Sequence, residues 1–158
     1  MNTSFTIRTK PKRRFFPDWK MEVSHITEVV AQGVRDDKLS FRQTDRSITY
    51  HDPCRLGRHS GVYDAPRDIL RALSSSFREM EHNREDSYCC GVGAWAGCTP
   101  LAKAQRGARL AEAMKVAEVM VTACPKCNIH FRCSLGEPQS PYKVEVTDII
   151  AMAGGALK

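Results

Sequence analysis

Seven cysteines occur in this chain of 158 residues, at positions 54, 89, 90, 98, 124, 127 and 133. Five of them follow a regular spacing. Cys54 is followed by thirty-four residues, then Cys89–Cys90–Gly91, and Cys90 is followed by thirty-three residues before Cys124-Pro-Lys-Cys127. Adjacent cysteines rarely bridge each other, because the ring would be strained. The odd count and modest density also argue against a disulfide framework, so metal or redox chemistry is the favoured reading. Cys124 and Cys127 form the i, i+3 pair of many metal sites. Pro125 suits the first position of a helix whose positive end would stabilise thiolates. Gly91 and Gly93 permit positive φ and leave room for a bulky group close to the backbone.

Five converging sulfurs exceed the four that a structural zinc takes, and they suit a polynuclear iron–sulfur centre better. Their spacing differs from the ferredoxin run of closely packed cysteines. Two other readings stay open on the residues alone. Four of the cysteines could hold zinc in a structural interaction module without catalysis, or Cys124 and Cys127 could act as a metal-free CxxC thiol oxidoreductase. The second leaves Cys54, Cys89 and Cys90 unexplained. Cys98 and Cys133 lie outside the pattern and are expected to be buried small hydrophobes.

The elements that must position these sulfurs alternate between strand and helix. "HITEVVAQGVRDDKL" places Ile26, Val29, Val30 and Val34 on one helical face, and His25 either caps that helix or faces a partner, with the cap favoured. "SITYH" reads as a strand broken by Asp52 and Pro53, and Asp64 is a candidate cap for a helix through "PRDILRAL". "FREMEH" and "DSYCC" read as second and third strands. "LAKAQRGARLAEAMKVA" carries Leu101, Leu110, Met114 and Ala117 at helical spacing. "VMVTA" is a buried strand running into "CPKC", and "YKVEVTDIIAMA" closes with a strand and a short helix. This pattern predicts an α/β fold, a single domain with a largely parallel sheet flanked by helices. Three expected strands end in cysteine, at the carboxyl edge where such sheets gather their sites. The expected organisation is a disordered basic tail over 1–14, a helical lead-in over 15–45 and a cysteine-rich domain over 46–158.

Composition narrows the function further. With 42% apolar and 27% charged residues, the chain is an ordinary globular protein, and no apolar run approaches the roughly 18 residues of a membrane span. "KRRFFPDWK" resembles a twin-arginine export signal, but charged residues stand where its apolar core belongs, so a cytoplasmic location is expected. The formal charge of +6 is concentrated in five basic residues between Arg8 and Arg14, on the expected tail. No nucleic-acid partner is therefore read.

The strings "YHDPCRLGRHSGVYDAPRDILRAL", "NREDSYCCGVG" and "VTACPKCNIHF" resemble the cysteine-rich CCG domain from about Phe15 to Ile150. That family includes heterodisulfide reductase catalytic subunits and the iron–sulfur subunits of glycolate, lactate and glycerol-3-phosphate oxidising systems. The resemblance implies that Cys54, Cys89, Cys90, Cys124 and Cys127 ligate a noncubane [4Fe-4S] cluster, which would reduce a disulfide or relay electrons. It also implies a ferredoxin-like or flavin-containing electron-transfer subunit as partner, a small disulfide or thiol as substrate, and membrane association only through a partner. A core of about +2 bound by five thiolates is roughly triply negative, so nearby cations would stabilise it. His51, Arg55, Arg58 and Lys126 flank the motifs and are candidates for that role, with Gly91 beside them. The chain carries one motif set where many members carry two, and "AWAGC" stands where a glycine-rich stretch often follows. His59, His82 and His130 carry no assignment, and Trp95 could shield the cluster or pack in the core.

Overall fold

The computed structural model describes residues 23–93 and 98–158. The expected tail and Trp95 lie outside the described residues. Three four-residue strands, β1 (Ile48–His51), β2 (Val119–Thr122) and β3 (Glu145–Asp148), form a parallel sheet in the order β1-β2-β3. His51, Thr122 and Asp148 are aligned across the sheet, so the three carboxyl ends are flush. The helices are α1 (Ile26–Arg35), α2 (Asp64–Leu73), α3 (Pro100–Met114), α4 (Pro125–Leu135) and α5 (Ile149–Ala156).

Alternation along the strands sends side chains to two separate cores. Ile48, Tyr50, Val119 and Val121 pack with Ala31, Ile69, Leu70 and Ile149, which belong to α1, α2 and α5. Met120 and Val146 pack with Leu110 and Phe131 of α3 and α4, together with Cys90 and Cys127. The result is an α/β/α sandwich whose second core reaches directly to the cysteines. Among the described residues no helix is long and apolar enough to cross a membrane.

Helix α1 is capped as the sequence suggests. The His25 side chain accepts from the Thr27 amide, and Glu28 accepts from the His25 amide at 2.8 Å. Burial lowers the His25 pKa below 6.5, against the pull of Glu28 and Asp148. The neutral ring is the capping form, so its contribution is complete above the unfolded value near 6.5 and is lost as pH falls through the lower folded value. His25→Ala should therefore cost about 0.5–1 kcal/mol at pH 7.5. In urea titrations the gap from wild type should narrow at pH 5.5.

Several expectations need correction. "FREMEH" is not a strand: Phe77 makes one isolated bridge to Ile48, and the Arg78 amide donates to Ile48 O at 2.9 Å, with no further ladder. "DSYCC" is a short 3₁₀ turn (Arg84–Asp86) followed by irregular chain, so two strands run into cysteine motifs, not three. Asp64 is the first helical residue of α2 with no cap bond from Tyr63 before it, and it pairs with Arg84 at 2.7 Å. In α1 the buried residues are Thr27 and Ala31, while Ile26 and Val29 are 50% and 56% exposed. Leu101 is 69% exposed, because the inner face of α3 passes through Ala102, Arg106, Arg109, Leu110 and Ala113. Cys98 and Cys133 are exposed, not buried.

Candidate metal centre

The two strand-end cysteine motifs are built alike. After β1, Pro53 opens a helical turn in which the Gly57 amide donates to Pro53 O and the His59 amide to Cys54 O. This turn holds Cys54 just past the strand end. After β2, Cys124 is the N-cap of α4 and Pro125 its first residue. The amides of Cys127 and Lys126 donate to the Cys124 sulfur. Between these motifs, Cys89 and Cys90 sit on a loop bent by Gly91 (φ +89°). There the Gly91 amide donates to Cys89 Sγ at 3.4 Å, and the Val92 amide to the Cys90 sulfur.

Four of the motif cysteines are linked by hydrogen bonds, and Cys54 stands near them. Cys127 shares hydrogen bonds with both Cys90 and Cys124, and Cys90 adjoins Cys89, whose ionisation Cys54 opposes through space. The Cys127 thiol donates to Cys90, and with His51 and the Val92 amide this outweighs burial and lowers Cys90 to about 4. Cys124 falls to about 6, chiefly because Cys127 donates to it. Cys127, as donor to both, is pushed far up. Burial raises Cys89 despite the Gly91 amide. Cys90 and Cys124 are thus biased toward the thiolate, the ligand form that metals take, with backbone amides among their donors.

The expected surroundings separate into two groups. His51 is buried at the end of β1, with a ring nitrogen and the Cys90 and Cys127 sulfurs within 4.8 Å of one another. Its pKa is lowered, first by burial and then by Arg109, against the pull of Cys90. Gly91 is buried against the first turn of α3. Lys126 is half-buried and contributes its backbone amide. Arg55 and Arg58 are exposed; Arg58 holds the neighbouring loop by donating to Ser87 O at 3.1 Å. A hollow of about 280 Å³ beside Cys124 is lined by Val23, His25, Pro53, Arg55 and Leu56.

Two buried arginines missed in the sequence organise this end of the sheet. Arg67 of α2 donates to both carboxylate oxygens of Asp52 (2.8 and 2.9 Å), to both of Glu79 and to Tyr63 O. Arg109 of α3 donates to His51 Nδ1 (3.1 Å), His82 O, Glu112, Tyr50 O and Ser87 Oγ. The signal was available in α3, where Arg106, Arg109, Leu110 and Ala113 share one helical face.

A model of the cysteine-rich CCG domain matches residues 48–132. The chain belongs to this family. It is 38% identical over 141 residues to a subunit of the Methanosarcina barkeri dihydromethanophenazine:CoB–CoM heterodisulfide reductase, covering 86% of this chain and 34% of that protein. A probable iron-sulfur-binding oxidoreductase of Bacillus subtilis is 38% identical over 147 residues, covering 87% and 20%. The EtfAB:quinone oxidoreductase of Syntrophomonas wolfei is 45% identical over 73 residues, covering 46% and 10%. This CCG-domain chain spans about a third of the length of the heterodisulfide reductase subunits it matches.

Proposed function

We propose that this CCG domain is an iron–sulfur redox module in which Cys54, Cys89, Cys90, Cys124 and Cys127 hold a noncubane [4Fe-4S] cluster. The observation that supports this reading is the hydrogen-bonded group of Cys89, Cys90, Cys124 and Cys127, with Cys54 nearby and backbone amides aimed at Cys89, Cys90 and Cys124. The donor set fits the group: soft cysteine sulfurs and amide hydrogen bonds to sulfur. A zinc site would use four of these sulfurs and leave the fifth without a role. The names of the heterodisulfide reductase and iron–sulfur relatives support the same assignment.

Such a cluster supplies electrons singly, and two electrons with two protons convert a disulfide to two thiols. The chain would accept them from a ferredoxin-like or flavin-containing partner subunit, a reading supported by the quinone oxidoreductase relative. The hollow beside Cys124 has room for a small disulfide or thiol. Its apolar walls would seat the carbon skeleton, and Arg55 would pair with an anionic end.

Purification without oxygen, followed by iron, sulfide and zinc analysis, tests the assignment. About four irons and four sulfides per chain are expected. Cys90→Ser and Cys127→Ser should lose most of the iron, whereas Cys98→Ser and Cys133→Ser should keep it. One zinc without sulfide would overturn the reading.

A further inference from the structure

His51 is 1% exposed, lies beside Cys90 and Cys127, and is a natural candidate for a sixth ligand. Its hydrogen bonding says otherwise. Nδ1 receives the Nε–H of Arg109 at 3.1 Å, and an arginine only donates. Nδ1 must therefore carry the lone pair, which leaves the ring proton on Nε2. A histidine that binds metal through Nε2 needs the reverse arrangement, with its proton on Nδ1 donated outward. Two N–H groups would then face each other across 3.1 Å.

Arg109 cannot easily turn away to relieve that conflict. Its five donors are all engaged: Nη1 by His82 O (2.6 Å) and Glu112 Oε2 (2.7 Å), Nη2 by Tyr50 O (3.4 Å) and Ser87 Oγ (3.1 Å), and Nε by the ring. The ring is also braced by an edge-on contact with Phe131, at 4.9 Å between centroids. Nε2 is buried with no oxygen or nitrogen to accept from it, and it faces the Cys90 and Cys127 sulfurs, with Cys90 the sulfur it interacts with. A buried donor is costly unless something accepts from it, and here only sulfur can.

We propose that Arg109 locks His51 as the neutral tautomer whose Nε2–H donates to a sulfur of the bound cluster, so that His51 tunes the cluster and does not ligate it. The proposal rests on the cluster reading above. Arg109 is then a positioning residue, and the neutral His51 ring brings no charge of its own to the cluster. A hydrogen bond to cluster sulfur favours the more negative, reduced state, so its loss shifts the midpoint potential downward.

The test uses the full chain purified anaerobically and labelled with ¹⁵N-histidine. Electron–nuclear double resonance should show an exchangeable proton and only weak nitrogen coupling; a strong coupling of a directly bonded nitrogen would overturn the proposal. His51→Phe should keep its iron and sulfide while its midpoint potential falls. His51→Gln, which restores an N–H donor, should return the potential toward wild type. Equal potentials in all three proteins at full cluster content would overturn the proposal, as would iron loss from both variants. If the wild-type chain holds neither iron nor sulfide, the cluster reading falls separately. Nitrogen resonance of that chain still decides the tautomer: a proton on Nε2 supports the lock, and one on Nδ1 refutes it.

Discussion

Replacing Arg67 with methionine is expected to destabilise the chain by about 3–5 kcal/mol, the cost of removing one partner from a buried ion pair. Arg67 is fully buried, and its planar fork is matched by the carboxylates of Asp52 and Glu79. Methionine fills comparable space but leaves Asp52, itself 3% exposed, without its counter-charge. The damage should reach the cysteines, because Asp52 also accepts the Arg84 amide at 2.9 Å and stands two residues before Cys54. Denaturant midpoints would check this. Adding Asp52→Asn to Arg67→Met should recover part of the loss, since the stranded charge is then gone.

Gly91→Ala should be comparably damaging, at about 2–5 kcal/mol. A φ of +89° is strained for any residue with a Cβ, at about 1–2 kcal/mol, and overpacking adds about 1–3. The added carbon would collide with the carbonyl of Ala102, which is backbone in the first turn of α3 and cannot rotate aside. Relief would shift the loop that carries Cys89 and Cys90, so cluster content should fall along with stability. Gly61 is the control: its φ of +73° is also positive, but nothing lies within 4 Å of an added Cβ. Gly61→Ala should cost about 1 kcal/mol from backbone strain alone and leave iron content unchanged.

These two sites show how far the sequence could be read. β1 and β2 were legible because "SITYH" and "VMVTA" are short β-branched or apolar runs buried from both sides, and β3 because "VEVT" alternates. The cysteine spacing was legible because thiols at strand ends have few other uses in a chain of this kind. The segments 77–82 and 86–90 depart from the expected strands because nothing local distinguishes a strand from extended chain held by side chains. Ser87 is fixed by Arg58, which donates to its carbonyl, and by Arg109, which donates to its hydroxyl. Both arginines are distant in sequence. Arg67 and Arg109 were passed over because arginine is ordinarily exposed, and only the carboxylates and carbonyls brought by other elements make their burial tolerable.

The fully engaged forks of Arg67 and Arg109 carry a consequence for the order of assembly. On the proposed ligand set, linking Cys54, Cys89–Cys90 and Cys124–Cys127 through one inorganic group would close two loops of over thirty residues, each worth about 4 kcal/mol by chain entropy. A small zinc-finger domain must draw its folding energy from such closure. Here guanidinium groups already pin two of these segments, Arg67 of α2 through Asp52 and Arg109 of α3 through Ser87. If the cluster reading holds, oxidative loss of iron should therefore leave a chain that stays folded and can be recharged without being remade.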